Sequence, residues 1–299
     1  MRIIRHPKKK KLKGCVAALG TFDGVHLGHQ KVIKSAVNYA NKSGAASLVI
    51  TFDPHPQQQI VPERGLKLLT TLKEREELFC GLGVDGVVVF RFNKKLQDLS
   101  YEKFIRKYLV DRLGVRKVFV GFDYAFGKGR LGDVSLLRRL GRKYGFEVGV
   151  IPPVVAGLRP IKSSRIRELV SRGEFARAVK LLGHPYQISG RVVKGSGRGA
   201  GLGFPTANLK LDRHKLIPAH GVYAGLVGSK KCAVNIGARP TFGAEQTRVE
   251  VHVLGAKQNL RGKPLKIVLT ARLREEKQFA DVAELKEQIR RDIYRIKML

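Results

Sequence analysis

Tryptophan is absent from the chain, aromatic residues make up only 7% of it, and acidic residues are scarce beside basic ones. So few aromatics argue against a surface that stacks nucleic-acid bases, which interleaves aromatic side chains with its positive charge. Cysteine is sparse as well: Cys15, Cys80 and Cys232 are odd in number, far apart and outside any Cys-x-x-Cys spacing. Such a set builds neither a disulfide framework nor a structural zinc site, and reads as free thiols in a reducing compartment. No apolar run reaches the roughly 18 residues that suggest a membrane-spanning helix. The N-terminus is charged and lacks the apolar middle of a signal peptide, so a cytoplasmic location without membrane attachment is expected.

What is abundant is positive charge: 58 Lys and Arg stand against 24 Asp and Glu, a formal net charge of +34. The excess is spread over both halves, 36 against 15 in residues 1–183 and 22 against 9 in residues 184–299. A nucleic-acid binder and a nucleotide enzyme with a solvated basic surface both fit that total. The one dense run, Lys8-Lys9-Lys10-Lys11 with Lys13, reads as a solvated segment. No specific nucleic-acid partner is expected. With 299 residues, 43% of them hydrophobic, the chain can bury a real core.

Two kinds of patterning divide that length. Short apolar runs alternate with amphipathic stretches from Val16 to about Ile151, the pattern of a parallel sheet with crossover helices. Strands are expected at Val16–Leu19, Ser47–Phe52, Gly86–Phe90, Lys117–Gly121 and Phe146–Ile151. Helices are expected at Gly28–Asn41, Leu72–Cys80, Tyr101–Leu113 and Asp133–Tyr144, with Ser100 and Asp133 as N-caps. This half reads as a Rossmann-like α/β domain. Gly183-His184-Pro185 breaks the chain, and strand-like runs follow at Gln187–Lys194, Gly221–Val227, Lys231–Ile236, Arg248–Leu254 and Leu265–Leu273. Their spacing suits a small β-barrel or sandwich, closed by an amphipathic helix over Asp281–Lys297. The halves are unlike modules joined near residue 184.

Each half carries one glycine-punctuated signature. Gly20-Thr21-Phe22-Asp23-Gly24-Val25-His26-Leu27-Gly28-His29 contains a His-x-Gly-His motif between the first strand and the first helix. Phosphates bind at that place in α/β proteins, and histidines near neutrality can donate to charge developing on phosphorus. The implied chemistry is attack on the α-phosphate of a nucleoside triphosphate with loss of pyrophosphate. The second signature runs from Gly195 through Gly197, Arg198, Gly199, Ala200, Gly201 and Gly203 into Phe204-Pro205-Thr206-Ala207-Asn208. It fits neither Gly-x-Gly-x-x-Gly nor the Walker A pattern. Thr206 and Asn208 lie two apart on an extended segment, so they point the same way and offer hard oxygen ligands for magnesium carrying phosphates. Glu250 and His252 likewise leave one face of a strand.

The first signature, with Thr51-Phe52-Asp53-Pro54-His55-Pro56, Val120 to Gly127 and Ser163-Ser164-Arg165-Ile166-Arg167, resembles the FAD synthetase module of prokaryotic bifunctional riboflavin kinase/FAD synthetases. The resemblance implies that His26 and His29 bind the triphosphate and stabilise the transferring phosphoryl group. It places Gly20, Phe22, Asp23 and Gly28 at the nucleotide, and Asp123 near nucleotide and metal. Ser163, Ser164 and Arg165 would close over the leaving pyrophosphate, and Pro54, His55 and Pro56 would face FMN. Residues 184–299 resemble riboflavin kinase. The matching segments are Gly190 to Leu209, Gly221-Val222-Tyr223-Ala224, Val234 to Gly237 with Arg239-Pro240-Thr241-Phe242, Val249-Glu250-Val251-His252, and Leu273-Arg274 with Phe279. There Gly195, Gly197, Arg198, Gly199, Thr206 and Asn208 would bind magnesium-ATP, with Thr206 and Asn208 on the metal. Glu250 would accept the proton of the ribityl hydroxyl, and Arg274 would contact flavin or phosphate. The implied substrates are riboflavin, FMN and ATP, with residues 1–183 as FMN adenylyltransferase and 184–299 as riboflavin kinase. Three residues depart from the family pattern. Lys162 stands where a small hydroxyl residue is usual, Ala200 replaces a basic loop residue, and Arg261 in Asn259-Leu260-Arg261-Gly262 replaces a tyrosine. If only one activity survives, Lys162 makes the kinase the survivor.

Overall fold

A computed structural model describes residues 1–5, 14–195, 197–239, 246–255 and 260–299. The basic run at Lys8–Lys13, Ser196, Pro240-Thr241-Phe242 and Asn259 lie outside the described residues. The chain forms two compact units, Met1–Ser163 and Ser164–Leu299.

The first unit is a six-stranded sheet of β1 (Arg2–Arg5), β2 (Val16–Leu19), β3 (Ser47–Asp53), β4 (Gly86–Arg91), β5 (Lys117–Gly121) and β6 (Glu147–Ile151), in the order β1-β4-β3-β2-β5-β6. Every pairing is parallel. Helices cover both faces, which is why the inner strands are unbroken apolar runs. Val16 and Ala18 of β2 face α1 (Leu27–Lys42), whereas Ala17 and Leu19 join the cluster of Ile105, Leu109 and Leu137 on the other side. α2 (Pro56–Ile60) and α3 (Leu72–Gly81) follow β3, and α4 (Lys94–Gln97) and α5 (Tyr101–Phe104) follow β4. The expected helix over Tyr101–Leu113 starts as α5, capped by Ser100, and continues as a π-helix over Ile105–Arg112. α6 (Val134–Tyr144) starts at its expected cap, where Asp133 Oδ1 accepts from Leu136 N at 2.7 Å. The chain turns back at β2, whose neighbours are β3 on one side and β5 on the other. The carboxyl end of β2 is therefore the switch point at which doubly wound sheets bind ligands. A short hairpin, β7 (Val155–Ala156) and β8 (Arg159–Pro160), leads to the end of this unit.

The second unit is a closed antiparallel barrel. β9 (Tyr186–Val193), β10 (Ala207–Leu211), β11 (Gly221–Val227), β12 (Lys230–Arg239), β13 (Gln246–Val253) and β14 (Pro264–Arg274) close in the order β10-β13-β12-β11-β14-β9. α7 (Ser163–Ser171) begins at the junction of the units, and α8 (Phe175–Leu182) packs on the barrel. The Phe175 ring meets Tyr223 edge-on at 5.6 Å and Tyr186 at 6.4 Å. These contacts place α8 with the barrel, so the compact units part about twenty residues before the Gly183-His184-Pro185 break. α9 (Arg198–Gly201) is one turn inside the glycine-rich loop, and α10 (Val282–Met298) closes the chain with Asp281 as N-cap.

Arg274 of β14 meets Asp292 of α10. The two form a largely buried bidentate pair, with Nε to Oδ1 at 3.2 Å and Nη2 to Oδ2 at 2.8 Å; the side chains are 14% and 3% exposed. Gln288 adds a hydrogen bond to Oδ1 at 3.0 Å, and Arg274 Nη1 donates to Glu275 O at 2.9 Å. Arg274 therefore fastens the closing helix, a commitment that its expected place at flavin or phosphate did not foresee. Removing one partner of a buried pair leaves the other charge unpaired, which costs about 3 kcal/mol. Arg274→Ala and Asp292→Ala are accordingly expected to lower the melting temperature of the chain to a similar degree, by calorimetry. A direct flavin contact would instead raise the KM for riboflavin in Arg274→Ala alone.

Candidate functional sites

In the first unit the loop Gly20–His26 joins β2 to α1. Phe22 and Val25 adopt left-handed backbone angles, φ 51° and 39°. Such conformations cost of order 1–3 kcal/mol each in a non-glycine residue and persist only where the surroundings over-determine them. Here Asp23 does so: its buried carboxylate accepts from Leu69 N at 3.1 Å and from Thr70 N and Oγ1 at 3.0 and 3.1 Å. Gly24 N donates to Thr70 Oγ1 at 2.8 Å, and Gln30 Nε2 to Val25 O at 2.9 Å. Both Asp23 carboxylate oxygens thus serve the loop, a structural use of a residue expected at the nucleotide.

His26 caps α1, its Nδ1 accepting from His29 N at 3.4 Å. An acceptor at Nδ1 leaves the proton of a neutral imidazole on Nε2, where it can be donated. The two imidazoles stack at 3.6 Å and 20°, and Phe22 meets His29 edge-on at 5.3 Å. Gly28 is needed under this stack, since a Cβ there would lie 3.1 Å from His26 Cε1; at Gly20 one would lie 2.9 Å from the Phe22 ring. Both histidines therefore stand at the amino end of a sixteen-residue helix, at the positive end of its dipole.

Behind the loop is a cation that the sequence reading missed. Arg75 of α3 is 1% exposed and donates to Thr21 O at 2.7 Å and to Thr51 Oγ1 at 3.0 Å; Thr51 Oγ1 in turn donates to Thr21 O at 3.0 Å. Burial pulls this guanidinium below its ordinary pKa, while Asp23, Asp53 and Glu76 oppose the shift. Its role is to pin the Thr21 carbonyl. An arginine on a capped helix looks like surface charge, and only the chain crossing reveals its burial.

Of the other expected residues, Ser163 bonds to this loop. Ser163 Oγ donates to Asp23 O at 2.8 Å, and Ile161 O lies 3.9 Å from where a Gly28 Cβ would be. Lys162, the departure, reaches Asp123 Oδ2 at 3.3 Å with both side chains about half exposed. Ser164 and Arg165 continue the first turn of α7 in the second unit. His55 is buried and caps α2 through Nδ1, which accepts from Gln57 N at 3.2 Å; Pro54 and Pro56 beside it are half-buried.

In the barrel, register supplies the geometry. Asn208 of β10 stands directly opposite Glu250 of β13, so their side chains share the outer face. The inner face carries Leu209, Val249 and Val251. The glycine-rich loop lies against Asn208 and Thr206: a Cβ on Gly195 would stand 2.7 Å from Asn208 Cγ, and one on Gly199 2.9 Å from Thr206 Oγ1. Gly197 has φ 76°, open to glycine at little cost. Ala200 sits in α9, exposed. His252 Nδ1 is 2.8 Å from Pro205 O and its ring meets Phe204 edge-on, fixing the turn before Thr206. Arg248, unremarked in the sequence, donates through Nε to Asn208 Oδ1 at 2.7 Å and through Nη2 to Glu250 Oε1. Among the described residues no cluster of three or more His, Cys, Asp or Glu could hold a metal alone. Cys15, Cys80 and Cys232 are free thiols, and burial pushes Cys15 up to about 11 and Cys232 up to about 12.

Comparison with known proteins agrees with this division. The FAD synthetase family model matches residues 8–165 and the riboflavin kinase model residues 182–299. The bifunctional riboflavin kinase/FMN adenylyltransferase of Escherichia coli K12 is 38% identical over 94% of this chain and 91% of its own. Its namesake from Listeria monocytogenes is 39% identical over 93% and 90%. The crystal structure of a protein named macrolide-efflux protein, from Streptococcus pneumoniae, superposes with a TM-score of 0.88 at 28% identity over 99% of both chains. No helix among the described residues here is long and apolar enough to cross a membrane. Two matching family models in this order, with relatives aligned across nearly the whole length, show that the chain belongs to the bifunctional riboflavin kinase/FMN adenylyltransferase family.

Proposed function

We propose that the chain phosphorylates riboflavin to FMN in the barrel and adenylylates FMN to FAD in the α/β unit, with ATP as co-substrate of both steps. The observation that carries the reading is the pairing of Asn208 with Glu250 across β10 and β13 in one unit and the stacked His26–His29 pair at a helix start in the other.

In the barrel, Glu250 accepts the proton of the ribityl hydroxyl as its oxygen attacks the γ-phosphorus of ATP; the bond to the β-phosphate oxygen breaks and ADP leaves. A carboxylate suffices for this role, because phosphoryl transfer depends mostly on positioning and charge stabilisation. Thr206 and Asn208 are oxygen ligands suited to magnesium, with the phosphates and water completing its shell. Bound there, magnesium would supply charge neutralisation on the phosphates. Gly195, Gly197, Arg198 and Gly199 line the nucleotide, and the absence of a Cβ at Gly195 and Gly199 lets the loop close on Asn208 and Thr206.

In the α/β unit a phosphate oxygen of FMN attacks the α-phosphorus of ATP and pyrophosphate leaves. His26 and His29 donate to the charge that develops there, aided by the helix N-terminus. Gly20, Phe22 and Gly28 shape the loop, and Asp23 and Arg75 hold it. Ser163, Ser164 and Arg165 attend the leaving pyrophosphate, while Pro54, His55 and Pro56 border the flavin. Lys162 screens Asp123 from the phosphates. Lys162→Ser is therefore expected to raise the KM for ATP in FAD formation by up to about fivefold, the ceiling for an ion pair this exposed. FMN formation should be unchanged, and an unaltered KM would remove Lys162 from the site.

Labelled ATP tests the whole scheme. Starting from riboflavin, label in the γ-phosphate should appear in FMN and persist in FAD, whereas label in the α-phosphate should appear in FAD alone. Label from the α-phosphate in FMN, or none in either flavin, would contradict it.

A further inference from the structure

Arg248 joins the two groups on which the kinase reading depends. It precedes Glu250 by two residues on β13, so both side chains leave the outer face of that strand, and Asn208 faces them from β10. Arg248 and Glu250 are 29% and 19% exposed, removed from most solvent. The planar guanidinium donates through Nε to Asn208 Oδ1 at 2.7 Å and through Nη2 to Glu250 Oε1. The oxygen that would face a metal ion and the carboxylate that would face the substrate hydroxyl are thus bridged by one fixed positive charge.

We propose that Arg248 is the resident counter-ion of the barrel site: its guanidinium stands where a divalent cation would be held beside Asn208 and Glu250, and it turns away before that cation enters. The inference rests on the kinase reading of Asn208 and Glu250. A divalent cation on Asn208 Oδ1 and a guanidinium bonded to the same oxygen repel at contact distance, so occupation by one excludes the other. The guanidinium neutralises the Glu250 carboxylate in this half-buried position. Once released, the guanidinium remains anchored to β13 next to the incoming triphosphate, and its fork matches phosphate oxygens as well as it matches carboxylate.

Mn2+ alone, without nucleotide, is the probe that isolates this exchange, because no phosphate is then present to receive the guanidinium. The full chain is titrated with Mn2+ and the free ion is followed by electron paramagnetic resonance. Arg248→Gln is expected to bind Mn2+ about tenfold more tightly than the parent chain, equivalent to about 1.4 kcal/mol. Arg248→Lys should fall between them, since an ammonium keeps the charge but lacks the fork that spans both acceptors. The gain should vanish in the double variant Asn208→Ala/Arg248→Gln. Unchanged or weaker Mn2+ binding in Arg248→Gln, or a gain that survives loss of Asn208, overturns the proposal. The kinase reading fails separately: Asn208→Ala chains forming FMN at the parental rate would remove it whatever Mn2+ does. A merely structural Arg248 would change the melting temperature and leave Mn2+ affinity where it was, which also overturns the proposal.

Discussion

Replacing His29 by alanine is expected to lower FAD formation from supplied FMN by about 10²–10³-fold, the usual cost of removing one preorganised donor from a developing phosphoryl charge. The expectation follows from position. His29 sits in the first turn of α1, its ring stacked on His26 and edged by Phe22, so it is held before substrate arrives. Preorganisation gives the donor its worth, since a group already oriented needs no rearrangement in the transition state. Truncation leaves the loop in place, because Asp23, Gly24 and Arg75 fix it through bonds that do not involve His29. FMN formation from riboflavin should continue at the parental rate in the same sample, which separates loss of chemistry from loss of fold. Equal loss of both activities would contradict two separate sites.

Asn208→Ala is expected to do the reverse, lowering FMN formation by about 10²–10³-fold and sparing FAD formation from FMN. The residue combines three positions. It would be a hard oxygen ligand beside Thr206, it lies across the strand pair from Glu250, and it lies against the glycine-rich loop at Gly195. Its removal also deprives the Arg248 guanidinium of one of its two acceptors, leaving its bond to Glu250, the proposed base. Two effects therefore compound in a single variant. Steady-state rates with riboflavin and with FMN as alternative substrates measure both predictions.

The α/β half was legible because its geometry is local. Buried parallel strands appear as apolar runs, and Val16–Leu19 and Lys117–Gly121 coincide with the strands observed. The edge strand β1 was not, being four residues with an arginine at each end, and its pairing with β4 is non-local. Nor was the π-helix after Phe104, since over eight residues its repeat is hard to tell from an α-helical one. In the barrel, β10 was read as an extended ligand segment, not as the strand that closes the ring; only Leu209 of its five residues is buried. The contacts that escaped notice share one cause. Those of Arg75 and Arg248, and the pairing of Arg274 with Asp292, depend on partners supplied by register or by helix docking, which spacing along one chain does not encode.

The two sites run opposite to chain order, so the product of the barrel is the substrate of the α/β unit. The most direct measurement incubates the purified chain with riboflavin, ATP and magnesium and follows flavins and pyrophosphate by chromatography. The account predicts that FMN appears first, that FAD follows at its expense, and that pyrophosphate accumulates in step with FAD. Absence of both flavin products, or FAD formed without pyrophosphate, would contradict it; FMN that accumulates without FAD would confine the activity to the barrel.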